Sequence, residues 1–401
     1  MGNGIRIGSI AGIAIHLDWS LAIVFFLIAN ALALGLFPAW HPDWPPLLAW
    51  GTALAAAALF FVSVLLHELA HALVGRARGM TIRRITLFIF GGMAHLEREP
   101  HGWRAELAMA IVGPLTSLAI GLAALAASAA LVGPLELDPE HPERLLAALS
   151  APATLLLWLG QVNLVLAAFN LVPAFPLDGG RVLRALLWGA SGDLRRATRW
   201  ASSAGQGFAW FLIAVGLAMA AGIRVPVFGV GLVSGLWLMF IGWFLNNAAL
   251  ASYRQVLVRD ALENVPVARL MRRALAAVPP GLAVSDFVAG YLLASDQRAF
   301  PVEDGGRLVG MVTLADVRRV PRERWDETAV AAIMTPADAL ASVAPGDDAL
   351  EALSLLAARN VNQLPVIADG RLQGLILRED ILKWLALYGD QQLGGPAPPR
   401  R

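Results

Sequence analysis

Six stretches of the chain are apolar over nearly the length a helix needs to cross a hydrocarbon layer, about 20 residues. They run over 21–37, 47–74, 107–132, 151–176, 201–223 and 225–251, each bounded by charge, Pro or Gly. The first is short and would rely on its flanks. Two segments break the helical pattern. Residues 81–96, TIRRITLFIFGGMAHL, are rich in Ile, Thr and Phe and close on Gly91-Gly92. That reads as a short membrane-associated β-hairpin, or a strand with a tight turn. Isoleucines alternate over 5–15, which predicts a strand or an amphipathic stretch on the membrane surface.

After Ser252 charge rises and the apolar runs shorten. Val267-Ala268-Arg269-Leu270-Met271 returns as Val330-Ala331-Ala332-Ile333-Met334, and Pro301-Val302 returns as Pro365-Val366. Gly306-Arg307-Leu308-Val309-Gly310 returns as Gly370-Arg371-Leu372-Gln373-Gly374. The interval is about 64 residues, and each copy mixes apolar helical segments with short strands, so a duplicated soluble α/β module is expected. The fold class is then a polytopic α-helical membrane protein of about six transmembrane helices, followed by a soluble α/β pair. The expected boundaries are a membrane domain over 1–255, copies over 256–325 and 326–392, and a disordered tail over 393–401.

Composition sharpens this picture. The chain is 57% hydrophobic and only 15% charged, against about 25% charged in soluble domains. Its net charge of +1 comes without a basic stripe interleaved with aromatics, so no nucleic-acid partner is expected. With no cysteine, disulfides and thiolate metal sites are excluded. The N-terminal segment carries Arg6, His16 and Asp18 and does not read as a secretory signal. Arginines set the orientation. Arg76, Arg78, Arg83, Arg84, Arg98 and Arg104 follow the second stretch, and Arg181, Arg184, Arg195, Arg196 and Arg199 follow the fourth. The opposite loops, 38–46 and 133–150, are arginine-free or mostly acidic apart from Arg144. The Arg-rich side should face the cytoplasm of a cell's inner or plasma membrane, with both termini and the duplicated module inside.

The second apolar stretch ends in FVSVLLHELAHALVGRARG. His67 and His71 are four apart, so on a helix they share one face, one turn apart. Two such imidazoles can bind one Zn²⁺ at roughly 2.0–2.1 Å each. Glu68 lies beside them and can take a proton from a water at the metal. Zinc needs a third protein ligand and an open position. Asp178, in FNLVPAFPLDGGRV, is the best candidate, because it lies on the same side by the arginine argument. Asp178 would also suit as the cap of a helix beginning near Gly179. The histidines His16, His41, His95, His101 and His141 fall at interfaces or loops and read as ordinary.

These residues resemble the site-2 protease family of intramembrane zinc metalloproteases. The resemblance rests on His67-Glu68-Leu69-Ala70-His71, Phe90-Gly91-Gly92, Gly113-Pro114 and the run from Asn170 to Arg181, and it covers roughly residues 1–255. It implies that Asp178 is the third zinc ligand. It also implies that Asn170 faces the active site, bonding substrate backbone or a developing oxyanion; helix–helix bonding is the alternative. Many members place an Asn shortly after Gly-Pro, where this chain has Ser117. That puts substrate positioning in question more than catalysis. The resemblance further implies substrates that are single-pass membrane proteins, such as anti-sigma factors, already trimmed by another protease. The 81–94 strand is expected either to hold an extended substrate by β-augmentation or to plug the site.

The duplicated tail resembles a pair of CBS domains over roughly 260–390, with Gly310-Met311-Val312-Thr313-Leu314-Ala315-Asp316 matched by Gly374-Leu375-Ile376-Leu377-Arg378-Glu379-Asp380. Such pairs often bind adenine nucleotides, which implies Thr313 near phosphate and Asp316 and Asp380 on ribose hydroxyls, with Leu377 lacking the hydroxyl. A structural or homodimerising module is the alternative. A rival reading of the whole chain is a CBS-regulated channel or transporter using His67, Glu68 and Asp178 as an ion path.

Overall fold

The computed structural model describes residues 4–89, 91–96, 100–132, 146–226 and 228–392. Phe90, most of the 133–150 loop (His141 and Arg144 with it), Arg98 and the 393–401 tail lie outside the described residues, and so do the side chains of Arg83 and of 93–96, His95 included. The chain divides into two compact units, Met1–Tyr253 and Arg254–Arg401.

Six helices of the described residues are long and apolar enough to cross a membrane. They are α1 (Ser20–Trp40), α2 (Pro46–Ala77), α3 (Trp103–Val132), α4 (Ala151–Asn170), α6 (Leu194–Ala220) and α7 (Leu232–Leu262), with the shorter α5 (Asp178–Ser191) between α4 and α6. Several boundaries differ from the hydropathy pattern, the sixth span running on to Leu262. The fourth span ends at Asn170 and not near 176, because Pro173 and Pro176 cannot continue a helix. The fifth begins earlier, at Leu194, where Asp193 accepts a bond from the Arg196 amide at 3.0 Å and caps the helix. The sixth begins at Leu232, since Val225 pairs with Gly229 in an isolated bridge.

Close helix crossings are made by small residues. A Cβ at Gly160 would meet Leu125 Cγ at 2.7 Å and the Gly121 carbonyl at 3.0 Å, so α3 and α4 touch backbone to backbone. Ser128 donates to the Ala153 carbonyl at 2.8 Å across the same interface. His41 is not an ordinary loop histidine. It is buried, stacks on Trp44 at 3.9 Å and bonds Thr154 at 2.8 Å.

The strands form one four-stranded sheet, β1 (Ile5–Ile10), β2 (Ile13–Leu17), β3 (Ile82–Phe88) and β4 (Gly91–Leu96), in that order. The 5–15 segment is therefore a hairpin, turning at Ala11 and Gly12, both with positive φ. β2 pairs parallel to β3, and β3 pairs antiparallel to β4. Ile13, Ile82, Ile85 and Leu87 bury one face against Val64, Leu69 and Ala72 of α2. β3 has a neighbour on both sides, so an added strand finds no edge there; the outer strand of the hairpin is β4.

In the second unit, β5 (Ala299–Asp304) and β6 (Arg307–Thr313) form the first copy's hairpin, and β8 (Gln363–Ala368) and β9 (Arg371–Leu377) the second's. The leading segments are exchanged. Thr335 and Pro336, forming β7, pair with β6, while Arg272 pairs with Leu375 of β9. Ala299, Met311 and Leu375 close the core between the copies.

The sheet order makes a stability prediction. Ile85→Pro should lower the melting temperature in detergent by several degrees, because it removes a ladder bond and a fully buried side chain. Met93→Pro and Ala94→Pro should differ from each other. Successive amides of an antiparallel strand face opposite ways, so one of the two variants should melt near the wild type. Equal losses at all three positions would mean that the outer side of β4 is not free.

Candidate metal centre

His67 and His71 lie on α2, and both are buried. Their Nε2 atoms stand 3.1 Å apart, and each is 3.1 Å from the same Asp178 oxygen, Oδ2. Asp178 opens α5, so its carboxylate reaches the histidines from the first helical turn. The cap expectation is not met in its simple form: the cap position is Leu177, and Asp178 is directed at the two imidazoles. Nothing but close backbone approach explains the two glycines that follow. A Cβ at Gly179 would collide with the backbone of Leu171 and Val172, and one at Gly180 with Ala174 and Phe175. Both are helical, so they seat the 171–177 loop against α5 instead of making a sharp turn.

The ring nitrogens facing away are also held. His71 Nδ1 donates to the Met109 carbonyl at 2.6 Å, which leaves the neutral ring's lone pair on Nε2. His67 Nδ1 bonds Ser117 Oγ at 2.9 Å. Both contacts come from α3, and they orient the rings as metal ligands are usually oriented. Ser117 is fully buried and sits behind His67, so its hydroxyl serves the histidine where the sequence reading placed it toward substrate.

The donor set suits a metal ion. One ligand atom from each of His67, His71 and Asp178 can be chosen so that all lie within 4.8 Å of one another. A tetrahedral ion with bonds of about 2.0–2.1 Å separates its ligands by about 3.3 Å, close to the 3.1 Å observed here. Gly113 supplies room: a Cβ there would collide with Nε2 of both histidines. Glu68 is half-buried and packs against β4, where a Cβ at Gly92 would run into its side chain. Asn170 ends α4, half-buried; among the described residues no hydrogen bond joins it to the other three.

Two residues escaped the sequence reading. Glu106 of α3 is fully buried, and its Oε1 accepts from Arg184 Nε of α5 at 2.6 Å, with the Arg184 terminal nitrogen also in contact. The signal was partial: Glu106 is the one acidic residue of an apolar α3 and calls for a cationic partner if buried, but the sequence does not say which arginine supplies it.

In the second unit, Asp316 Oδ2 accepts from the Thr313 amide at 2.9 Å and the Thr313 hydroxyl at 2.7 Å, a reciprocal helix cap. Asp380 has a different partner. Arg272 grips it with Nε at 2.7 Å and its terminal nitrogen at 2.8 Å, and also contacts Glu379. The hydrogen bonds to Asp380 hold the Arg272 guanidinium above the usual arginine range.

Apolar spans around two histidines and a carboxylate define a multi-pass membrane protein with a candidate metal centre. The description "Peptidase family M50" matches residues 55–151 and 145–213, and "CBS domain" matches 267–323 and 330–387. Rip3 of Mycobacterium tuberculosis, which carries a zinc-metalloprotease name, is 33% identical over 99% of this chain and 96% of its own length. The zinc metalloprotease MJ0392 of Methanocaldococcus jannaschii is 29% identical over 82% of this chain and 84% of its own. Among solved structures, a site-2 protease from Methanocaldococcus jannaschii is 29% identical, at a TM-score of 0.41, covering 63% of this chain and 95% of that one. The chain belongs to peptidase family M50: it is a multi-pass membrane zinc metalloprotease with two CBS domains. Membership sets aside the channel or transporter reading.

Proposed function

We propose that the protein hydrolyses peptide bonds within or beside the membrane segment of single-pass membrane proteins, anti-sigma factors and other tethered regulators being the expected substrates. The observation that carries this is the convergence of His67, His71 and Asp178 at one point inside an apolar bundle, with Glu68 next to it. His67, His71 and Asp178 would hold the zinc, which when bound supplies Lewis acidity toward the scissile carbonyl and acidifies water. Glu68, one residue from His67, takes the water's proton and passes it to the leaving amine. Met109 and Ser117 keep the two imidazoles from turning away. A helical substrate must unwind before its amides are open. The outer edge of β4, beside Glu68, can receive the extended segment by β-augmentation. The edge-facing variant of Met93→Pro or Ala94→Pro should then cut slowly with its fold and zinc intact, and undiminished cleavage by both would remove that role.

The reading is tested with Glu68→Gln. The variant should retain zinc by metal analysis and lose cleavage by roughly 10²–10⁴-fold. Comparing membrane-protein fragments in cells carrying wild type or variant identifies substrates. A variant that cuts normally would sink Glu68 as base; one that loses zinc as well would recast it as a ligand.

The arginine distribution supports a cytoplasmic catalytic side, with both termini and the CBS domains inside. Of the counted arginines, Arg195, Arg196 and Arg199 lie at the start of α6, while Arg184 is buried and paired. Native cysteine is absent, so a single cysteine at Arg195 reports directly. It should resist an impermeant maleimide applied to intact cells and react after lysis; labelling of intact cells would invert the topology.

The CBS pair is proposed to bind one adenine nucleotide and so modulate proteolysis, with homodimerisation through these domains as a second expectation. Asymmetry supports a single site: Asp380 is already gripped by Arg272, whereas Asp316 is engaged mainly with its own Thr313. Calorimetric titration of the full-length protein with ATP, ADP and AMP should give one site per chain, lost in Asp316→Ala. Absence of heat with all three would leave a purely structural module, and two equal sites would refute the asymmetry.

A further inference from the structure

The α3 helix touches the metal centre along one face. Glu106, Met109, Gly113 and Ser117 are spaced three, four and four residues apart, so they lie on one stripe of the helix. Ser117 holds His67, Met109 holds His71, and Gly113 leaves the space between their Nε2 atoms. Glu106, the first of the four, reaches neither histidine. It takes Arg184 of α5, the helix that begins with Asp178.

We infer that the Glu106–Arg184 pair is a positioning device for Asp178. It sets the seat of α5 against α3, so that the third ligand meets the point where α3 holds the other two. This rests on the zinc reading above.

Three observations carry the inference. Both charges are buried, Glu106 at 0% and Arg184 at 7% exposure. Apolar residues would usually give adhesion between two helices at least as well, so a buried pair is a poor choice for stability alone. It does, however, have direction: Nε and a terminal nitrogen of the planar guanidinium converge on one carboxylate oxygen, Oε1. Second, Arg184 also lies over the Phe175 ring, 5.5 Å from its centroid. Phe175 is in the loop that leads into Asp178, so the same guanidinium contacts the chain just before the ligand and belongs to the helix just after it. Third, the site tolerates little slack. Gly179 and Gly180 are pressed against the 171–175 backbone and Gly205 of α6 against Phe175, so a shift of α5 would move the loop and Asp178 together.

Arg184 and Glu106 are positioning residues, since neither touches the ligand atoms. The experiment uses full-length protein in detergent. Zinc affinity is measured by competition with a chromophoric chelator, and the cobalt-substituted protein gives a d–d absorption spectrum that reports ligand geometry. Glu106→Gln and Arg184→Lys are compared with wild type and with Asp178→Asn. Arg184→Lys keeps the charge but loses the fork, and is the variant to rely on if Glu106→Gln does not fold. Both folded variants should weaken zinc by about 10–100-fold and alter the cobalt bands in the direction of Asp178→Asn. A purely structural pair would lower the melting temperature of the zinc-free protein and leave affinity and spectrum alone. Zinc affinity within threefold of wild type, with unchanged cobalt bands in Arg184→Lys, overturns the inference. Failure of wild type to bind zinc or cobalt would overturn the metal site itself, and the inference with it.

Discussion

An apolar helical bundle does not tolerate lone charges, and the membrane unit of this protein is organised by that refusal. A carboxylate or guanidinium inside such a bundle needs a partner in fixed geometry, since water is not there to solvate it. Two clusters meet the requirement: His67, His71 and Asp178 around one point, and Glu106 with Arg184. The first joins α2 to α5 and the second joins α3 to α5. The element that touches both is α3, whose 106–109–113–117 stripe contacts the histidines of α2 and Arg184 of α5. Helical periodicity thus turns one short sequence into a frame. A slip of one residue in that helix would rotate the stripe by about 100° and lose every contact at once.

Such a frame demands close approach, and small residues permit it. Gly113 admits the histidine nitrogens, Gly121 and Gly160 let α3 and α4 meet, and Gly179 and Gly180 let the proline-broken loop fold onto α5. Side chains at these positions would collide with their neighbours and force the helices or the loop apart. That is enough to separate ligand atoms that must converge within a few tenths.

The spans, the duplicated tail and the His67–His71 pair were legible because each rests on a local pattern, whereas Asp178 was proposed from its side of the membrane and from the family resemblance. Hydropathy runs of about 20 residues need no tertiary context. The four-residue spacing of His67 and His71 depends only on the helix. What was not legible depends on long-range partners. β2 joins β3 across a whole transmembrane pair, and Ala11, which carries a positive φ in the β1–β2 turn, is not a residue type that announces a turn. The interior place of β3 follows from that pairing and could not be read from 81–96 alone. Arg184 was counted as a topogenic surface charge because its partner lies 78 positions earlier. In the second unit, the repeat showed that Asp316 and Asp380 are equivalent. It did not show that the leading segments are exchanged, and that exchange is what brings Arg272 to Asp380 while the corresponding position near Asp316 is Thr335.

The one departure from the family pattern finds its physical reason in this frame. Where the family resemblance leads one to expect an asparagine, the hydroxyl of Ser117 lies 2.9 Å from His67 Nδ1. A hydroxyl oxygen can accept an imidazole N–H as an amide oxygen can, so the ring still presents Nε2 to the metal point. What serine cannot do is reach further. Its side chain is one bond shorter than that of asparagine and has no second polar group to extend past the ring. The orientation of the ligand is therefore kept, while any contact that an asparagine amide could make beyond His67 is given up. On the function proposed above, holding substrate then falls to other groups, and the β4 backbone packed against Glu68 is the candidate.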